Sequence, residues 1–359
     1  MTGAIADGVF PGGVILVDVA GEIRWFEAYG SATTVPTPEP LRVDAVFDLA
    51  SLTKPLVTAA LTLSLAAEKR VSLDDPVSVY VPAWRDGTKA HATLRHLLSH
   101  TAGLPAWRAF YQSLDASLIA TPEGKRRIVE HVEREPLESE PGADNRYSDL
   151  GFILLGAILE IVARRPLDAL ARDRVMGPLN VSSVAYLPAA GSREWLKDRQ
   201  VAATEQCAWR GRVLRGEVHD ENAYAMGGVS GHAGLFGDAT GVRSLVRAWR
   251  EAVLGRSALW PVDLAATFVT PQSDLGQGHW ALGWTVPTPP STSGRFFSQR
   301  AYGHLGFTGT SVWVDPDREL TVILLTNRVH PTRGNQGITA FRPLVHDAVY
   351  RWLFDGSSR

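Results

Sequence analysis

Residues 51–70 read SLTKPLVTAALTLSLAAEKR, and they constrain the fold more than any other stretch. Beyond Lys54 and Pro55 come Leu56, Val57, Ala59, Ala60, Leu61, Leu63, Leu65 and Ala66. A helix apolar on nearly every side belongs at the centre of a protein, so the rest of the chain must wrap around it. Pro55 sets where the helix begins, because a proline is tolerated in the first turn but clashes with a carbonyl further in. The helix therefore starts close to Ser51. Positions three apart share a face, which puts Lys54 beside Ser51. Read singly, the serine is an N-cap and the lysine a surface charge. Read together on a buried helix, the lysine enters a low-dielectric site where its proton is easier to lose. A lysine poised as a base beside a serine is a nucleophile arrangement. S-x-x-K by itself is a weak signal; its position gives it weight.

Several function classes are excluded by composition. A net charge of −2 over 359 residues offers no basic surface for nucleic acid or another polyanion. Cys207 is the single cysteine, which rules out an internal disulfide and any cysteine-rich metal site. No apolar run is expected to reach the ~18 residues of a membrane span. The opening MTGAIADGVFPGG lacks the basic start and apolar stretch of a signal peptide, so the expected location is cytoplasmic. A chain already trimmed of its leader would be periplasmic or secreted instead.

The length suffices for two lobes around a large core. GGVILVDVAGEIRWFEAYG (12–30) reads as two strands around an Ala-Gly-Glu turn. TSVWVD (310–315) and LTVILLTN (320–327) flank PDRE as a second hairpin. FRPLVHDAVYRWLF (341–354) has helical spacing through Leu344, Val345, Ala348, Val349 and Trp352. Residues 51–180 are mostly helical in pattern. The expected fold is α+β: an antiparallel sheet closed by the two termini, flanked by helices, with a mainly helical lobe inserted. The expected lobes are residues 1–60 with 225–359 for the sheet and 61–224 for the helices, with the active site between them. VPTPEP (35–40) and VPTPPSTSG (286–294) read as exposed loops.

Two further segments carry chemistry. NRYSDLGFILLGAILEIV (145–162) places Tyr147 just before another apolar helix that Ser148 or Asp149 can cap. YGHLGFTGTSVWVD (302–315) is a glycine-rich entry into a strand, where Gly306 would let the backbone approach a ligand closely.

With Ser51-Leu52-Thr53-Lys54, these segments resemble the three boxes of the serine β-lactamase and penicillin-binding-protein superfamily. The likeness is closest to class C β-lactamases and the related esterases and D-peptidases, and it covers nearly the whole chain. LRHLLSHTAGLP (94–105), GGVSGHAGLFGDATGVRSLVRAW (227–249) and LLTNRVHP (324–331) are similar to that group's flanking segments. The resemblance implies a β-lactamase/transpeptidase-like fold and a serine hydrolase that cleaves an ester, amide or lactam through an acyl-enzyme. It makes Ser51 the nucleophile and leaves the proton to Lys54 or to Tyr147. It places the oxyanion donors on the backbone N–H groups of Ser51 and Phe307. No metal or cofactor is required. The implied partner is a small ester, β-lactam or peptidoglycan-derived molecule.

Two positions depart from the family pattern. Asp149 stands where the Tyr-x-Asn box has its asparagine; pairing with Lys54, it would keep the lysine charged and shift the base role towards Tyr147. His304 replaces the lysine of the third box, which looks more like the esterase and peptidase branches. A cationic His304 would hold a substrate carboxylate and lose that grip as pH rises through its pKa, near 6.5 if unperturbed. Arg328, His330 and Arg333 follow the last strand, and the alignment of TNRVHP with a substrate-binding strand end points to Arg328 for a carboxylate contact. The alternatives are a D-peptidase or amidase of peptidoglycan fragments, and a non-catalytic sensor that keeps the pocket.

The remaining polar clusters have plainer readings. His96 and His100 have zinc-like i, i+4 spacing but no intervening glutamate, so both read as structural. HDEN (219–222) reads as a loop brace beside the pocket. Ser230 in GVSGH fails the Gly-x-Ser-x-Gly elbow because His232 holds the last position, which disfavours an α/β-hydrolase.

Overall fold

The strand Gly12–Val19 is buried on both faces, and the sheet is built outward from it. Val14 and Leu16 point into a large core shared with the helices, while Ile15 and Val17 point into a smaller one. Two-sided burial is why GGVILV reads as a continuous apolar run rather than an alternation. The structure, a computed structural model, describes residues 1–191, 193–278 and 280–355.

The strand pairs antiparallel with Glu22–Thr33 on one side and Leu320–Thr326 on the other, so the two ends of the chain meet in the middle of the sheet. Across the six strands the order is Glu39–Pro40, Glu22–Thr33, Gly12–Val19, Leu320–Thr326, Ser311–Asp315, Tyr302–Leu305. Both expected hairpins form. The first turns at Ala20 and Gly21, both in the left-handed region at φ 53° and 88°. The C-terminal helix, Ile338–Phe354, covers the smaller core through Ile338, Val345 and Val349. Leu344, expected on that apolar face, is 66% exposed. Adjacent helical positions diverge by about 100°, so burying Val345 turns Leu344 to solvent.

The predicted core helix runs Ala50–Ala67. Its 18 residues have a mean hydropathy of 1.3, enough by length and composition to cross a membrane, but 78% of it is buried inside the protein. It begins as a 3₁₀ turn, Ala50–Leu52, widens into an i→i+5 segment at Lys54–Ala59, and ends as α-helix at Ala60–Ala67. Wide turns of this kind frequently mark functional sites. A short strand, Phe47–Asp48, feeds it and pairs with Leu235–Gly237, which also pairs with Val184–Tyr186.

The second apolar helix, Asp149–Ala163, is capped by Ser148, whose Oγ accepts the Gly151 N–H. The segment 230–232 threads between this helix and the core helix. Thr58 Oγ1 donates to the Gly231 carbonyl at 2.6 Å from one side. On the other side a Cβ on Gly231 would lie 2.2 Å from the Phe152 carbonyl, and one on Gly156 would lie 2.8 Å from the Gly231 nitrogen. Only two glycines permit this backbone contact. Gly231→Ala is expected to cost about 1–3 kcal/mol, the usual range for overpacking, as read by urea denaturation. A midpoint equal to that of wild type would show that the segment has room to move.

Candidate active site

Ser51 is placed by a strained entry. The strand Phe47–Asp48 leads to Ala50, a non-glycine at φ 47°, a conformation that costs energy and clusters at functional sites. The buried Asp48 carboxylate holds the bend by accepting the N–H groups of Ala50 at 2.9 Å and His219 at 2.6 Å. Ser51 is the second residue of the 3₁₀ turn and not its N-cap, a position that Leu49 holds. Its Oγ instead accepts from Lys54 Nζ at 2.9 Å.

Lys54 is completely buried, and its ammonium donates three hydrogen bonds. They go to Ser51 Oγ, to Asp149 Oδ1 at 2.7 Å and to the His232 carbonyl at 3.1 Å. Burial alone would favour the neutral amine, but the Asp149 carboxylate and the Tyr147 oxygen outweigh it, and the pKa lies above the ordinary lysine value. This corrects the expectation of an easily lost proton. The departure at Asp149 does what its pairing implied and keeps the lysine charged.

Tyr147 enters the same niche. Lys54 Nζ sits 4.9 Å from its ring centroid, and the hydroxyl is within hydrogen-bonding reach of Lys54 and Ser51. Burial pushes the phenol pKa up; Lys54 pulls it down, Asp149 pushes it up again, and the net shift is upward. Nearby cations therefore do not make Tyr147 a resting phenolate. The ring packs on His100 at 4.6 Å and Trp280 at 5.4 Å between centroids. His100 is a positioning group that its sequence neighbours did not reveal: its Nδ1 accepts the Ser148 N–H at 3.1 Å, fixing the residue after Tyr147. His96 caps its own short helix by accepting the Thr93 N–H on Nδ1.

The third box closes the site from the sheet edge. His304, on the strand Tyr302–Leu305, is 2% exposed, and its Nδ1 donates to the Leu305 carbonyl at 2.9 Å. Nε2 is left as a buried acceptor without a partner among the described residues. Burial, reinforced by Lys54, drives the imidazole pKa down to about 3. The expected cationic carboxylate receptor is thus a neutral ring. Gly306 is required by a close approach, though not to a ligand: a Cβ there would lie 2.0 Å from Thr310 Oγ1 and 2.8 Å from the Leu49 carbonyl. Thr308 and Thr310 donate to the carbonyls of Asp48 and Leu49, at 2.8 and 3.1 Å, which ties the turn carrying Phe307 to the segment carrying Ser51.

Arg328 is 5% exposed and braces that turn. Its Nε donates to the Phe307 carbonyl at 2.8 Å and its Nη1 to the carbonyls of Asn335 and Arg333. The expected carboxylate contact would have to come from what remains of the guanidinium. His330 is buried between Thr204 and Thr34, away from solvent. Arg333 pairs with Glu205 and Glu221.

These groups open onto one cavity of about 690 Å³, lined near Ser51 by Tyr147, Asp149, Trp280, His304 and Phe307. The HDEN cluster lines it as well as bracing it: His219, Asp220 and Glu221 are on the wall. His232, also on the wall, bonds Asp220 Oδ1 through Nε2 and Ser230 Oγ through Nδ1, both at 2.8 Å. Ser230 is 1% exposed, so it is no second nucleophile.

The sequence matches the family described as Beta-lactamase over residues 1–346, and the chain belongs to that family. Among its relatives, N-acetylmuramyl-L-alanine amidase of Bacillus subtilis is 32% identical over 89% of this chain and 78% of its own length. A putative D-alanyl-D-alanine carboxypeptidase of Escherichia coli K12 is 31% identical over 89% of this chain and 79% of its own. Among solved structures, EstCE1, a hydrolase with promiscuous acyltransferase activity, superposes with a TM-score of 0.70 at 25% identity, covering 97% of this chain and 96% of that one. The fold is β-lactamase/transpeptidase-like, and the protein is a serine hydrolase of the acyl-enzyme type.

The neutral state of His304 is directly measurable. Its imidazole NMR shifts are expected to stay flat between pH 5.5 and 8, because a group of pKa about 3 is uncharged throughout. A midpoint near 6.5 would restore the cationic reading.

Proposed function

We propose that this protein hydrolyses an amide bond in a small peptidoglycan-derived substrate, with Ser51 as the nucleophile. The observation that carries the mechanism is the 2.9 Å contact between Lys54 Nζ and Ser51 Oγ at the wall of the cavity. The substrate class is supported by the relatives named as an amidase and a putative carboxypeptidase.

An ammonium that donates three hydrogen bonds has no lone pair, so Lys54 is not the proton acceptor in this state. It anchors negative charge on Ser51 Oγ. The acceptor is Tyr147 in its phenolate form, which takes the serine proton as Oγ bonds to the carbonyl carbon. The oxyanion points to the backbone N–H groups of Ser51 and Phe307, each typically worth about 3–4 kcal/mol. Tyr147 then gives its proton to the leaving nitrogen, the C–N bond breaks, and water hydrolyses the acyl-enzyme. His304 lines the cavity as a neutral ring and adds no charge beside the substrate.

Ser51→Ala is expected to abolish turnover and covalent fluorophosphonate labelling together. Muropeptides, p-nitrophenyl esters and nitrocefin run side by side test the substrate class, with the muropeptides expected to give the highest kcat/KM. Labelling that survives at another serine would end the assignment of Ser51. Tyr147→Phe is expected to lower kcat by about 10²- to 10⁴-fold with a much smaller change in KM.

The pH profile follows from the shifts in the site. Tyr147 has a pKa above the usual phenol value, so the competent phenolate grows about tenfold per pH unit in the neutral range. kcat/KM is therefore expected to climb into the alkaline region. A kcat/KM that stays flat from neutral into alkaline pH would exclude Tyr147 as the acceptor.

A further inference from the structure

A row of aromatic rings starts on the wall of the active-site cavity and runs out over the surface. Trp107, on that wall, is 38% exposed. Its ring centroid lies 6.5 Å from that of Tyr111, which lies 4.6 Å from Trp209, itself 5.9 Å from Tyr224. Trp209 is 43% exposed, between the two short strands of a hairpin, Gln206–Cys207 and Arg212–Val213. By contrast Trp84, Trp249, Trp284 and Trp313 are buried in the cores, where their apolar area stabilises the fold. Rings left half in water contribute less to folding. Exposed aromatic surface continuous with a cavity is a feature of ligand-binding grooves.

The row is held in place. Arg108 Nη1 donates to the Trp107 carbonyl at 3.2 Å, while its other nitrogens reach Glu135 and Glu138. Asn222 ties the row to the cavity wall: Oδ1 accepts the Tyr111 N–H at 3.0 Å and Nδ2 donates to the Arg108 carbonyl at 2.8 Å. The Arg210 guanidinium packs 5.4 and 4.0 Å from the ring centroids of Trp209 and Tyr224 and donates to the Val218 and His219 carbonyls. These contacts also narrow the occupant. Arg210 already takes ring faces that a cation would seek, and the wall acids Asp220 and Glu221 already bond His232 and Arg333. A charged ligand therefore gains little. A long apolar chain would stay half in water on so open a surface. A pyranose suits both sides of the site. Its C–H face packs on an aromatic ring, while its hydroxyls stay hydrated or donate to the Asp220 and Glu221 carboxylates on the same wall as Trp107.

We infer that Trp107, Tyr111 and Trp209 form a saccharide-binding subsite, which holds a sugar at the mouth of the cavity while Ser51 attacks the amide inside it. Resting on the proposed hydrolase reading, this narrows the substrate from a free peptide to one that still carries its sugar. Because the row extends over several rings, a disaccharide is expected to bind more tightly than a monosaccharide.

Binding is tested apart from catalysis in the Ser51→Ala protein. The probe is N,N′-diacetylchitobiose, with tetramethylammonium and hexanoate as the cationic and apolar alternatives at equal ionic strength. NMR titration should show saturable binding of the disaccharide, tighter than either alternative. Trp209→Ala should weaken it about three- to tenfold, the scale of one lost ring contact. Trp209→Phe keeps a flat face and should lose less than the alanine variant. Trp107→Ala, with the same expected loss, is the second variant should Trp209→Ala fail to fold. The subsite is overturned by an absence of saturable sugar binding, by tighter binding of tetramethylammonium or hexanoate, or by sugar binding that neither alanine variant changes. Turnover is read separately on wild type with p-nitrophenyl esters and muropeptides. No turnover of any of these would sink the hydrolase reading while leaving the disaccharide result to stand or fall alone.

Discussion

The three hydrogen bonds of the Lys54 ammonium join the core helix, the second apolar helix and the segment 230–232. One partner, Ser51, lies on the same helix; another, Asp149, opens a second helix; the third is the backbone of His232, held between the two. A buried ammonium needs all three, because each unfilled N–H would add to an already large desolvation cost. The position of Ser51 Oγ is therefore set by elements far apart in sequence. The glycine contact between residues 156 and 231 and the Thr58 bond to the Gly231 carbonyl bring the third acceptor into place.

The same ion pair decides how the chemistry is divided. Burial would have freed the amine, but Asp149 and Tyr147 together outweigh it, so Lys54 acts as a fixed positive charge. Tyr147, pressed between His100 and Trp280, is left as the group that moves a proton. His304 sits under the same burial and, with no acid to offset it, loses its charge altogether. Three titratable groups within one niche thus separate into a cation, a phenol and a neutral ring. What separates them is which one has a carboxylate partner.

What the sequence shows follows the range of the interactions. The core helix, both hairpins and the C-terminal helix are legible because periodicity and turn residues are local. The Ser51–Lys54 pairing is legible too, since a helix fixes the i, i+3 distance. The charge state of Lys54 turns on a contact 95 residues away, and only the family resemblance that sets Asp149 beside it makes that contact legible. His100 stays hidden: its role comes from stacking on Tyr147 and Trp280, which no spacing reveals. Arg328 reads as a free loop-end cation because its three carbonyl partners are irregular backbone. Gly306 reads as a ligand approach, whereas its neighbour is Thr310 of the same turn.

The sheet order has a bearing on how the molecule is made. The nucleophile is near the start of the chain, whereas His304 and the Phe307 turn lie on strands that join the N-terminal hairpin only through Leu320–Thr326. During synthesis from the N-terminus, Ser51 is translated long before the strand that completes its surroundings. Pairing of such distant segments forms late and slowly compared with local helices. The nascent chain therefore passes most of its time on the ribosome without a finished acyl-transfer centre, and reactivity arrives with closure of the sheet.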